Sequence, residues 1–276
     1  MAELVSAEGL RDDGRRAGEV RRVRIRCYCA PPAPQPACVT KPCRCAGCCA
    51  QLRHMSVEFG VLPSADGSAR FSLGGTVAVA AVYGPREASR AEAAHDRCAL
   101  RAEVLTASFA ASDRRRAPRR DRRAAEASRA LTEALQGAVL TELLPRSELA
   151  VAVSVLRADG SVRAAALNAA VLALADAGVP LRDAAAAASA GLLDGTPCAD
   201  LSHAEEGKGP QLTLALLPAS GRVLLATHDT ARVALPGFEQ LMETATAAAH
   251  AQAAFMRDQM LARTRQLAAS RALDAL

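Results

Sequence analysis

The chain has 276 residues, half of them hydrophobic, with 3% aromatics and no Trp. That suffices for one sizeable core, or at most two small ones, built from Ala, Val and Leu. Basic residues number 34 against 29 acidic, a net charge of +5. No apolar run approaches the roughly 20 residues a membrane span needs, and the polar opening MAELVSAEGLRDDGRR has no apolar signal core, so a soluble intracellular chain without membrane contact is expected. Seven of the 9 cysteines crowd into CYCAPPAPQPACVTKPCRCAGCC (27–49). Only Cys98 and Cys198 lie elsewhere, which excludes a disulfide framework.

Residues 1–19 are polar, and RRVRIR (21–26) alternates like a strand with one wet face. The Cys/Pro stretch follows. Its CxC and CxxC could supply four zinc ligands, but the spacing matches no common zinc module, and residues 27–55 read as an inserted irregular loop. Strand character resumes at Val57. A hairpin-type turn is expected at Ala65-Asp66-Gly67, a bend at Gly74-Gly75, and an apolar strand over Val77–Tyr83. A further strand is expected over Ala102–Ala110.

Arginines 114, 115, 116, 119, 120, 122 and 123 then form a block suited to a polyanion. A helix is expected over 122–144, a strand over 148–158, a turn at Asp159-Gly160-Ser161-Val162 and a helix over 164–178. The Ala-rich run 184–191 reads as a buried strand, 212–229 as a hairpin around Ala219-Ser220-Gly221, and Phe238 to about Leu273 as one long amphipathic helix. This order predicts an α+β fold with mixed sheets and packed helices.

Arg163 opens a helix, where free backbone N–H groups and an arginine make a phosphate seat; a turn with a solvated arginine is the plainer alternative. Asp194 and Asp200 flank Gly195-Thr196-Pro197-Cys198-Ala199. Folded tightly, that segment would bring both carboxylates to one spot, to hold Mg²⁺ or act as a general acid. Read alone, Asp194-Gly195 is more simply a plain turn. The arginine block could line a nucleic-acid path or be a solvated loop. His203-Ala204-Glu205-Glu206 reads as an exposed loop without a catalytic role.

EGLRDDGRR (8–16), GVLPSADGSARF (60–71), VYGP (82–85), LRADG (156–160), LNAAVLALADAGVPLRD (167–183), SAGLLDGTPCADLSH (189–203) and PQLTLALLPASGRV (210–223) together resemble the ribonuclease PH family. Within it they are most similar to exosome ring subunits of the ribosomal RNA-processing protein 41 type. The resemblance implies a single ribonuclease PH-like domain of the ribosomal protein S5 domain 2-like kind. It implies phosphorolysis of RNA from the 3′ end, with inorganic phosphate as co-substrate and Mg²⁺ as cofactor. It further implies RNA, sister subunits of a hetero-hexameric ring and RNA-binding cap subunits as partners, in nucleus, nucleolus and cytoplasm. By motif position, Arg123, Arg163 and Ser161 would bind phosphate, Arg122 and the rest of the block RNA, and Asp194 and Asp200 would act as general acid and metal ligands. The family's GGTR turn is Gly160-Ser161-Val162-Arg163 here, which removes a hydroxyl from the phosphate seat. The alternative is an inactive ring subunit that scaffolds the assembly and channels RNA to a separate nuclease.

Overall fold

The computed structural model describes residues 52–88, 96–111, 122–193, 195–228 and 232–274. Nine strands form two sheets. The first has the order β1-β2-β3-β5-β4, from β1 (Met55–Phe59), β2 (Gly67–Leu73), β3 (Thr76–Glu87), β4 (Ala99–Thr106) and β5 (Ser147–Arg157). Its pairings are antiparallel except for the parallel pair β4–β5. The second sheet, order β7-β6-β8-β9, is antiparallel throughout. It comprises β6 (Ala186–Leu193), β7 (Thr196–Ala199), β8 (Gln211–Leu216) and β9 (Val223–His228). Among the described residues three α-helices accompany the sheets, α1 (Arg122–Ala138), α2 (Val162–Asp176) and α3 (Leu235–Asp274). This is the α+β arrangement the sequence predicts.

Helix α2 contacts β2 and β3 of the first sheet and β6 of the second. Every residue from Ala164 to Leu174 is buried. A helix enclosed on all sides must be apolar on all sides, and alanine keeps it thin enough to lie between two sheets. Its one polar core residue, Asn168, bonds Ala187 in both directions through Oδ1 and Nδ2 and also donates to Gln252 of α3. Helix α3 packs on β6, β7 and β8. Leu241, Ala245, Ala248 and Ala249 meet Leu212, Leu214 and Leu216 in a second core.

Three expectations shift. The helix expected over 122–144 ends at Ala138, because Val139 bridges Leu181 and the Leu140 N–H donates to Pro180. The strand expected over 102–110 lies at Ala99–Thr106, where parallel pairing from Ala99↔Glu148 to Thr106↔Val155 fixes its register. Of the insertion expected over 27–55, residues 27–51 lie outside the described residues, as does the strand expected at 21–26. Leu52–Met55 belong to the fold: Leu52 packs on the core and Met55 is buried within it.

Gly67 starts β2 against the end of α2, and a Cβ there would run into Ala173 O and Ala177 N. Backbone cannot yield as a side-chain tip can. Gly67→Ala is therefore expected to lower stability by about 1–3 kcal/mol, read from the urea midpoint at unchanged m.

Candidate active site

The site is assembled at one end of the first sheet. Helix α1 runs antiparallel to β4: the Val104 N–H donates to Ser128 Oγ, and the Ala102 N–H to Thr132 Oγ1. The start of α1 thus lies at the Thr106 end of β4. That is also the Val155 end of β5, from which the chain enters Asp159-Gly160-Ser161 and then α2. Arg122 and Arg123, exposed in the first turn of α1, and Arg163, exposed in the first turn of α2, stand at this same end.

The turn before α2 is held from several sides. Thr76 Oγ1 donates to Gly160 O at 2.6 Å and accepts the Asp159 N–H at 3.0 Å. Gly160 has φ +84°, and a Cβ there would meet Leu201 O. Ser161 follows with φ 55°, a left-handed conformation in a position where glycine is unstrained.

At the centre lies Arg53. Its backbone N–H and Nε donate to Asp200 Oδ2 at 2.9 and 2.8 Å, and Nη2 donates to Asp200 Oδ1 at 2.7 Å. Nη1 donates to Asp159 O, and Nη2 also approaches Leu201 O and Gly160 O at 3.3 and 3.4 Å. The two side chains are 8% and 1% exposed. Burial by itself pulls the guanidinium pKa down. The hydrogen bond and charge of Asp200, with the charges of Asp159 and Glu206, outweigh it and leave the pKa above its ordinary value. Arg53 therefore stays charged.

Asp200 is accordingly committed. Ser161 Oγ donates to Oδ1 at 2.9 Å, so four donors occupy a carboxylate with about four lone-pair sites. This corrects the expectation that Asp200 is a general acid and metal ligand: as placed, it has no lone pair for a cation and no proton to give. Asp194 lies outside the described residues. Residues 196–199 are extended strand rather than a tight loop, which holds the ends of that segment about 10 Å apart.

Ser161 is corrected too. Its hydroxyl turns inward to Asp200, Ser189 and Leu201 O, so it offers phosphate nothing. Its N–H donates to Glu206 Oε1 at 2.6 Å. The loop expected to be exposed at 203–206 is exposed only at His203 and Ala204. Glu205 is buried and accepts from the Ser202 N–H and hydroxyl. Half-buried Glu206 is thereby aimed at the start of α2, where negative charge is favoured. Arg114, Arg115, Arg116, Arg119 and Arg120 lie outside the described residues.

A family model described as "3′ exoribonuclease family, domain 1", that of RNase PH, matches residues 51–180. The exosome complex component RRP41 of Bos taurus is 43% identical over 249 residues, 89% of this chain and 88% of that protein. The chain belongs to the RNase PH family. The Arabidopsis thaliana RRP41 homolog is 36% identical over 273 residues, 98% of this chain and 99% of that protein. Among solved structures, rice Rrp46 shares the fold at TM-score 0.68 and 26% identity, covering 76% of this chain and 96% of that one. The Archaeoglobus fulgidus exosome with RNA bound to its active site shares it at TM-score 0.68 and 19% identity, covering 89% and 92%.

The sequence reading missed Arg53 and Glu206. One signal could have found Arg53. Leu52-Arg53-His54-Met55-Ser56-Val57-Glu58 repeats the pattern of Val20-Arg21-Arg22-Val23-Arg24-Ile25-Arg26, apolar at the first, fourth and sixth places with arginine second. The second copy supplies β1.

Removing one partner of a buried ion pair strands the other. Arg53→Ala and Asp200→Ala are each expected to cost about 3–5 kcal/mol in urea unfolding, and the double variant less than their sum.

Proposed function

We propose that this RNase PH-family chain is a phosphorolytic 3′-to-5′ exoribonuclease subunit of an exosome ring, acting in RNA processing and degradation. The carrying observation is the start of α2. The Ser161 N–H holds the Glu206 carboxylate there, directly before the first turn that carries Arg163, at the sheet end where Arg122 and Arg123 open α1. Cationic forks hold phosphate, and the helix N-terminus adds to them.

In this reading Arg163 and Arg123 hold inorganic phosphate, while Arg122 and the preceding arginine block hold the RNA backbone. A phosphate oxygen attacks the last phosphodiester of the RNA. A new P–O–P linkage forms, the bond to the 3′-oxygen breaks, and a nucleoside diphosphate leaves. The Glu206 carboxylate takes the proton of the attacking hydrogen phosphate and passes it to the departing 3′-oxygen. Proton delivery by Glu206 thus replaces that expected of Asp200, and Asp194 keeps the Mg²⁺-ligand role proposed for it.

The relatives' names support an exosome setting; within it we propose RNA as substrate, a six-membered ring of RNase PH-like sisters, RNA-binding cap subunits, and a nuclear, nucleolar and cytoplasmic distribution. One observation favours the scaffold alternative. Ser161 turns its hydroxyl inward and Val162 has none, so the turn offers phosphate no side-chain hydroxyl.

The test uses the ring assembled with its sisters, an RNA oligomer and inorganic phosphate. Glu206→Gln is expected to lower kcat on the order of a hundredfold or more. Arg163→Ala is expected to lower kcat/KM for phosphate by about ten- to a hundredfold, the loss of charge-assisted hydrogen bonds. Degradation unaffected by either substitution would leave the scaffold reading.

A further inference from the structure

We propose that Arg53 is a positioning residue of the phosphate site, setting the separation between the start of α2 and Glu206; this rests on the phosphorolytic reading. One side chain reaches several parts of the site. Through Nη2 one guanidinium touches Gly160 O, directly before Ser161, and Leu201 O, directly before the turn that carries Glu205 and Glu206. Between those two contacts lies the bond from the Ser161 N–H to Glu206. Nη1 adds Asp159 O, and the Asp200 fork fixes the guanidinium plane. The backbone on both sides of the phosphate seat is therefore referred to a single rigid group at the entry to β1.

The surroundings are shaped to this side chain. Gly74 lets the Arg53 stem pass, since a Cβ there would lie 2.5 Å from Cδ. Thr76 holds the same turn from the opposite side. Lysine cannot replace the fork: a compact ammonium has no plane with which to bridge Asp200, Gly160 and Leu201 together.

The experiment compares the wild-type chain with Arg53→Lys and Thr76→Val, each full length and assembled with its ring partners, using inorganic phosphate and an RNA oligomer. Arg53→Lys is expected to raise the KM for phosphate at least tenfold, while the KM for RNA stays within about twofold. Thr76→Val, which loosens the same turn but keeps the ion pair, is expected to raise the phosphate KM about fivefold. A folded Arg53→Lys ring with unchanged phosphate KM overturns the proposal. So does activity that falls only in proportion to the folded fraction. If Arg53→Lys does not assemble, Thr76→Val decides, and an unchanged phosphate KM there overturns it. If the wild-type ring makes no phosphate-dependent product, the phosphorolytic reading fails, and calorimetry of inorganic phosphate binding then tests positioning separately. Tenfold weaker binding in Arg53→Lys supports it; equal binding, or no binding to either ring, overturns it.

Discussion

The fork between Arg53 and Asp200 is the constraint on which the site depends. Two charges are taken almost wholly out of water, a costly arrangement unless every donor and acceptor is matched. Here they are: the guanidinium reaches Asp200 and three backbone carbonyls, and the carboxylate accepts from Arg53 and Ser161. A pair so fully bonded has one geometry. It ties the start of β1, the turn into α2 and the segment after β7 to one another. These are distant in sequence: Arg53 and Asp200 are 147 positions apart. A carboxylate in that role cannot also serve the reaction. In the proposed reading the chemistry falls to Glu206, which the same framework holds at the edge of the turn.

Helix α2 shows how packing becomes function. Enclosed between two sheets, it must be narrow and apolar, and its body is alanine and leucine. Polar chemistry survives only where the helix emerges. It emerges at the end of the parallel pair β4–β5, beside the arginines that open α1. Arg122, Arg123 and Arg163 thus collect at one place, because the enclosed helix leaves only its end available.

Much of the fold could be read from local patterns. The hairpin around Ala219-Ser220-Gly221 and the turn at Gly74-Gly75 announce themselves by turn residues, and α2 and α3 by their caps and length. Even the Ala-rich β6 was readable from its place between a helix and a turn, against the helical preference of alanine. The site was half legible. Arg163 stands out because a helix start is a local feature. Asp200 suggested chemistry because it follows a Gly-containing turn at ligand-like spacing, while its buried partner lies far away in the chain. Arg53 was hidden inside what looked like the tail of the insertion. Glu206 was hidden because a run of polar residues looks solvent-exposed until Glu205 is seen buried beneath it.

The account stands or falls on whether inorganic phosphate enters the product. The most direct measurement supplies the assembled ring with RNA and isotopically labelled inorganic phosphate and locates the label. Phosphorolysis at the α2 start requires the label in the β-position of released nucleoside diphosphates. Nucleoside monophosphates without label, or no released nucleotide at all, would contradict it.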